Sequence, residues 1–171
     1  MALLPILEFP NDTLTTPTAK VGPMTPALNT LVSDMVDTMR SVDGLGLAAP
    51  QVGHGIRLTV IEYRPSKGER KQDAIPLMVL INPKIISKSR ETDRMDEGCL
   101  SLPGIEVAVP RSTKIKVRMD TQDGKTVQFR ATGLLARIIQ HELDHLDGLL
   151  IIDRCANREA ALKAYESKRP R

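Results

Sequence analysis

The sequence predicts an α+β fold, with small antiparallel or mixed sheets around one central helix, an N-terminal helix and a short C-terminal helix. Helical periodicity at 25–41 and 133–146 brackets a series of short β-branched runs, and a charged helical stretch follows at 156–168. This order differs from the regular alternation of strands and helices in a doubly wound parallel sheet. A chain of 171 residues can bury a substantial core, so we expect a single domain over 1–171.

The first helix has a clear start and stop. Thr25 is a fitting N-cap and Pro26 a fitting first helical residue. Asp43 and Gly44 should end the helix, since both favour turns. One apolar stripe at helical spacing is expected to face the core and comprises Leu28, Leu31, Val32, Met35, Val36 and Met39.

The middle of the chain is predicted to form strands. The runs 58–63 and 77–81 are apolar or β-branched, and the polar residues 64–73 between them predict a surface loop. Pro83 should limit the second run, because proline cannot donate to a strand ladder.

A hairpin is predicted farther along. Residues 114–119 and 126–130 alternate in polarity, and the Asp123-Gly124 pair between them is a strong hairpin signal. A further short strand is expected at 149–152.

The C-terminal region should contain two helices. The longer one is predicted over 133–146 and ends before Gly148, a typical C-terminal stop. A shorter one is predicted over 156–168, within a basic tail at 154–171. Such a tail is usually a solvated helix face; the more specific hypothesis is a docking tail for an acidic surface such as ribosomal RNA.

Composition excludes several function classes. The net charge of +3 permits contact with a polyanion without requiring it, and the 2% aromatic content argues against base-stacking platforms, so no stable nucleic-acid partner is expected. No run approaches the roughly 20 apolar residues of a membrane span, and no signal peptide is recognisable. We therefore expect a cytoplasmic protein without a membrane partner, in which Cys99 and Cys155 stay reduced.

The central helix carries a metal-binding pattern. His141 and His145 are four residues apart and share one helix face with Leu134 and Ile138, so both imidazoles can reach one inward-lying ion. Glu142 is rotated by about 100° from His141 and can act beside the ion as a general base. A metal-dependent hydrolase is the favoured interpretation, with a structural metal or ordinary helical histidines as alternatives.

Two histidines leave one ligand to be found. No histidine follows His145, and His54 lies in a polar turn that we expect to be exposed. Cys99 is the soft ligand that could complete an open site, since one thiolate with two imidazoles is a known set. Cys155 is expected to be a bystander. A zinc endopeptidase and a metal-stapled RNA-binding module remain as competing functions.

Three segments together resemble the signature motifs of the bacterial peptide deformylases. They are Gly44-Leu45-Gly46-Leu47-Ala48-Ala49-Pro50-Gln51, Glu97-Gly98-Cys99-Leu100-Ser101 and Gln140-His141-Glu142-Leu143-Asp144-His145. The resemblance covers about residues 6–153. It implies a hydrolase that removes the formyl group from the N-terminal formyl-methionine of nascent chains and releases formate.

The resemblance also implies the roles of individual residues. Cys99, His141 and His145 would hold one divalent ion, usually Fe²⁺, with Zn²⁺, Ni²⁺ or Co²⁺ as substitutes. Glu142 would be the base for the metal-bound water. The side-chain N–H of Gln51 would stabilise the oxyanion. The backbone N–H of Leu100 would share that task.

The substrate pocket is less specified by the motifs. Gly46 would offer backbone groups to the peptide. Leu45, Leu134 and Ile138 would line the methionine pocket. An ion pair between Glu97 and Arg111 is a further hypothesis for support of the site. The segments 64–73 and 104–107 follow the family less closely and could alter how the rest of the peptide is held.

Overall fold

The structure is a computed structural model that describes residues 2–65, 68, 70 and 73–168. Its helices are α1 (Asp12–Thr15), α2 (Pro26–Ser41), α3 (Gly133–Leu146) and α4 (Arg158–Lys168), with 3-10 turns at Ala49–Val52 and Ile151–Asp153. Its strands are β1 (Gly46–Ala48), β2 (Leu58–Tyr63), β3 (Ile75–Lys88), β4 (Thr92–Gly98), β5 (Glu106–Ser112), β6 (Lys114–Asp120) and β7 (Thr126–Thr132). The predicted α+β class is confirmed.

Two antiparallel sheets surround α3. The larger has the order β1-β2-β3-β6-β7, and the smaller consists of β4 and β5. Helix α3 contacts strands of both sheets. Its inward side packs on apolar residues of β6, Ile115 and Val117, in one cluster with Ile138 and Leu143. The predicted central helix therefore holds the metal-binding pattern between the two sheets.

Helix α2 begins and ends as its sequence predicts. The Thr25 side chain accepts a hydrogen bond from the Leu28 N–H, which satisfies one free donor of the first turn. Val32, Met35 and Met39 of the predicted stripe are buried against the β1–β2 region. The predicted turn at Asp123-Gly124 also joins β6 to β7, and Gly124 has a φ of 79°.

The prediction that Pro83 limits its strand is wrong, because β3 continues to Lys88. Pairing with β2 ends at Ile81, and pairing with β6 shifts register between Ile81 and Lys84. Pro83 lies inside that irregularity, where its missing N–H costs no regular ladder bond.

Two further differences concern short elements. Residues 149–152 do not form a strand; a 3-10 turn at Ile151–Asp153 buries Ile151 and Ile152 instead. Strands β4 and β5 were not predicted, because β4 is polar and mostly exposed and shows no alternating apolar pattern. Of the loop predicted over 64–73, residues 66, 67, 69, 71 and 72 lie outside the described residues. No helix in the described part of the chain is long and apolar enough to cross a bilayer.

Candidate metal centre and active site

The structure brings together the three residues proposed as metal ligands. Donor atoms of Cys99, His141 and His145 all lie within 4.8 Å of one another. The Cys99 Sγ is 3.3 Å from the His145 Nε2. Neither His54, which is exposed, nor Cys155 belongs to this group within the described residues.

The chemistry of these donors fits a divalent ion. Burial raises the pKa of the Cys99 thiol, but the neighbouring His145 and His141 overcome this effect and bring the pKa down to about 5. Burial lowers the pKa of His141, but the hydrogen bonds that its ring donates to Cys99 and Glu97 raise it to about 10. A buried thiolate beside imidazoles is a site that a cation can occupy in place of a proton. One thiolate and two imidazoles leave a fourth position open.

Glu97 orients the first imidazole. Its Oε2 lies 3.0 Å from the His141 Nδ1, which leaves the Nε2 of His141 free to act as ligand. The predicted pair with Arg111 is present, since the guanidinium donates to both carboxylate oxygens at 3.0 and 2.8 Å. Burial raises the pKa of Glu97, but the hydrogen bonds from Arg111 and His141 lower it to about 2.

The ion pairs around Glu97 include more residues than the pair with Arg111 that the sequence predicted. Arg137, one turn before His141 on α3, donates to Glu97 Oε1 at 2.6 Å. Arg111 also pairs with Asp144, whose other oxygen accepts from Arg154 at 2.7 Å. Asp144 lies within the quoted motif, but its partners come from distant segments, so the sequence carries no local signal for them.

Glu142 is buried beside the ligands, with 3% of its surface exposed. Burial is the main cause that raises the pKa of its carboxyl, and the charges of His141 and His145 oppose it. Thr59, which sequence analysis missed, donates to Glu142 Oε2 at 3.1 Å. This bond fixes one oxygen of the predicted general base.

The Glu142 carboxylate occupies the space where a side chain at position 46 would lie. A Cβ placed on Gly46 would overlap with Glu142 Oε1 and would lie 2.6 Å from Glu142 Cδ. The expected role of Gly46 was to offer backbone groups to a peptide. The packing adds a second reason for glycine at this position.

Gln51 is held with its amide nitrogen toward the thiolate. Its Oε1 accepts from the Ala48 N–H at 2.9 Å, so the Nε2 points the other way, 3.9 Å from Cys99 Sγ. Ser101 Oγ accepts from the same Nε2 at 3.2 Å and was not recognised as a positioning residue. Within the described part of the chain, the backbone N–H of Leu100 has no hydrogen-bond partner.

A cavity of about 390 Å³ opens beside these groups. All four residues proposed to contact substrate line it, namely Leu45, Gly46, Leu134 and Ile138. Ile138 is buried, whereas Leu45 and Leu134 are 38% and 37% exposed and therefore form the mouth. Met95, from the unpredicted strand β4, also lines this cavity.

An N-terminal segment connects the two segments that carry Gln51 and Leu100. The Leu7 N–H donates to the Gln51 carbonyl at 2.7 Å, and the Phe9 N–H donates to the Ser101 carbonyl at 2.9 Å. The Tyr165 hydroxyl of α4 donates to the Phe9 carbonyl at 2.7 Å. The backbone that carries Gln51 and Leu100 is thus fixed from both ends of the chain.

Comparison with known proteins agrees with this arrangement. Residues 3–161 match the family described as polypeptide deformylase. The chain belongs to the peptide deformylase family. A peptide deformylase of Dictyoglomus thermophilum is 45% identical over 154 residues, which cover 90% of this chain and 92% of that protein. Deformylases are enzymes that remove N-formyl groups, and this chain is accordingly a hydrolase of that class.

Solved deformylase structures share the fold. A peptide deformylase of Synechococcus elongatus in complex with actinonin superposes with a TM-score of 0.86 at 38% identity, covering 96% of this chain and 85% of that one. A Met-Ala-Ser-bound class I type b peptide deformylase of Acinetobacter baumannii gives a TM-score of 0.83 at 35% identity, covering 90% and 98% of the two chains.

Proposed function

We propose that this deformylase releases formate from N-formyl-methionyl peptides, with Glu142 as general base and Cys99, His141 and His145 as metal ligands. The observation that carries the proposal is the placement of a buried carboxylate and an oriented amide beside one group of three donors. A divalent ion held there would act as a Lewis acid, polarising the formyl oxygen and lowering the pKa of a water molecule.

We propose Fe²⁺ as the physiological ion, with Zn²⁺, Ni²⁺ or Co²⁺ able to substitute. The resemblance to the family implies this choice. The single thiolate is compatible with each of these ions, and ligand softness by itself would have favoured zinc.

Residues of the chain carry out proton transfer and stabilise the oxyanion. Glu142 takes a proton from the attacking water and delivers it to the departing amine. Burial raises the pKa of its carboxyl, which makes the carboxylate a stronger base. The Gln51 Nε2 and the Leu100 N–H stabilise the oxyanion. One such donor typically contributes about 3–4 kcal/mol to lowering the barrier.

The sheet edge suggests how the peptide is held. Strand β1 is the terminal strand of its sheet and pairs with β2, which leaves its second edge toward the cavity. An extended peptide could add to that edge through Gly46 and place its methionine side chain among Leu45, Leu134 and Ile138. The Met-Ala-Ser seen in the relative of Acinetobacter baumannii makes a peptide of that length a suitable probe.

Location and docking belong to the same proposal. We propose a single catalytic domain over 1–171 that acts in the cytoplasm on nascent chains. Ribosome docking through the basic tail, 154–171, is predicted from the sequence and is the alternative to the docking surface proposed below. Residues 169–171 of that tail lie outside the described residues.

A two-substrate assay separates this function from a zinc endopeptidase. Formyl-Met-Ala-Ser and an N-acetylated peptide with internal bonds should be compared under anaerobic conditions with iron. We expect formate from the first and no cleavage of the second. Cys99→Ser should abolish metal retention and turnover, whereas internal cleavage that is indifferent to Cys99→Ser would establish the endopeptidase.

A further inference from the structure

The outer face of β3, β6 and β7 is strongly basic. Apolar side chains of β6 at 115, 117 and 119 point inward and are buried, so the alternate positions point to the other face. That outer surface is called the basic face here and consists of Lys84, Lys114, Lys116, Arg118 and Arg130. All of them are exposed except Lys116, which is half-buried.

Positive charge on this face is only partly balanced by the protein. None of its five residues forms an ion pair within the described part of the chain. The one acidic residue in β3, β6 and β7 is Asp120. Its oxygens accept from Asn82 Nδ2 at 3.0 Å and from Thr126 Oγ1 at 2.7 Å, and its charge interacts with Arg118. Five cations therefore share one carboxylate on this face.

The strand register places like charges directly opposite each other. Lys84 is the cross-strand partner of Arg118, and Lys116 is the partner of Arg130. Like charges at opposed positions destabilise a sheet, whereas an opposite charge there would stabilise it. The arrangement therefore opposes folding and is explained if an anion partner lies across the strands.

The basic face continues into a groove. Lys84 and Arg118 also line a polar cavity of about 1020 Å³, together with Lys20 and Lys88. Neither of these two lysines forms an ion pair with a described residue. The cavity lining also includes Asp120, Asp144 and Asp147, of which Asp144 and Asp147 pair with arginines. An excess of positive charge thus extends from the sheet surface into the concave region beside it.

Most of the described basic residues of the C-terminal tail, unlike those of the basic face, form ion pairs. Arg154 pairs with Asp144, Arg158 with Asp153, and Lys163 with Glu159. Lys168 donates to the Gly104 carbonyl. The tail cations in the described part of the chain are thus occupied, although the tail was the basic segment that the sequence made conspicuous.

We propose that the basic face docks on the phosphate backbone of duplex RNA. The choice of RNA rests on the proposed function, because a nascent-chain substrate brings the enzyme next to structured RNA. Rows of lysine and arginine on a sheet match a regular line of phosphates. The aromatic residue of β7, Phe129, is opposite the buried Val117 and so lies on the inner side, which leaves no ring for stacking on bases.

A double substitution tests this docking directly. Lys116→Gln with Arg130→Gln removes one opposed pair, and binding of a labelled RNA hairpin is measured by fluorescence anisotropy over a salt series. We expect about tenfold weaker binding and a salt slope reduced by about 1–2, since each phosphate contact contributes about 0.9. The same protein should have a higher Tm, because the opposed charges are gone.

Matched variants make the result specific. Arg158→Gln with Lys163→Gln removes the same charge from the tail and should leave RNA binding within twofold of wild type. The exchange Lys116→Arg with Arg130→Lys keeps the charge and should retain binding. All variants should release formate from free formyl-Met-Ala-Ser at the wild-type rate, so failure of docking and failure of deformylation are separate outcomes.

Several results would overturn the proposal. Equal loss of RNA binding in the face and tail variants would show a net-charge effect. Equal or tighter binding of duplex DNA would remove the assignment to RNA. Binding of phosphatidylserine vesicles without binding of the hairpin would assign the face to a membrane surface instead.

Discussion

The packing of Gly46 against Glu142 shows how the absence of a side chain makes room for the proposed general base. A Cβ on Gly46 would overlap with Glu142 Oε1, and Thr59 holds the other oxygen. We expect Gly46→Ala to displace the carboxylate and lower kcat about 100-fold, the scale of loss when a catalytic group is misplaced by about 1 Å. The measurement is the rate of formate release from formyl-Met-Ala-Ser.

Gly55→Ala is the matched control for that substitution. An added Cβ at Gly55 meets no atom within 4 Å. Its rate should equal that of the wild type. Equal rates in both variants would mean that Glu142 does not depend on the space at Gly46.

The ionisation of Glu97 should make the free energy of unfolding depend on pH. Hydrogen bonds from Arg111 and His141 outweigh burial and hold its pKa at about 2, below the ordinary value of 4.5. The ionised group therefore stabilises the fold above about pH 4.5, and this contribution is lost as the pH falls toward 2. Glu97→Gln should lower the free energy of unfolding at pH 7 by up to about 3–5 kcal/mol, because two buried arginines lose the carboxylate that they share and keep one partner each, Asp144 for Arg111 and Asp93 for Arg137.

Urea unfolding of metal-free protein between pH 2 and 7 measures this effect without a contribution from metal release. The wild type should lose stability between pH 4.5 and 2, and Glu97→Gln should lose less over the same range. The exposed Glu106→Gln variant serves as control and should follow the wild type. Parallel curves for Glu97→Gln and wild type would contradict the assignment.

At the scale of elements, α3 was predictable from the sequence and its surroundings were only partly so. Its start at Gly133 and its end at Leu146 follow from apolar periodicity and from Gly148, signals that lie within the segment itself. The continuation of β3 past Pro83 depends on a register shift against β6, which no local pattern encodes. Asp144 likewise pairs with residues from other segments. Arg111 belongs to β5, and Arg154 lies in the segment after α3.

Helix α4 stabilises the site from a distance. The Tyr165 hydroxyl donates to the Phe9 carbonyl, and the Phe9 N–H donates to the Ser101 carbonyl beside Leu100. Tyr165→Phe should lower the free energy of unfolding by about 1–2 kcal/mol, the usual effect of leaving a buried acceptor without a donor. Urea unfolding tests this, with Ser167→Ala on the same helix as control. Equal stability of Tyr165→Phe and Ser167→Ala would show that the bond contributes nothing.

At the scale of the whole molecule, the two proposed functions lie on opposite sides of one sheet. The inner side supports α3 and its ligands, and the outer side carries the basic face. The proximity of Cys99, His141 and His145 could be predicted because two of them share a helix and the third lies in a quoted motif. The basic face could not, since its residues are spread over 84–130 and become neighbours through strand register.

The central claim is that Glu142 acts as the base beside an ion held by Cys99, His141 and His145. Metal analysis paired with formate release, both performed anaerobically on wild type and Glu142→Gln, tests it most directly. We expect about one ion per chain in both proteins, and turnover lowered by about 10²–10⁴ in Glu142→Gln, the range typical of general-base loss. Wild-type turnover in Glu142→Gln, or no formate from fully metallated wild type, would contradict the account.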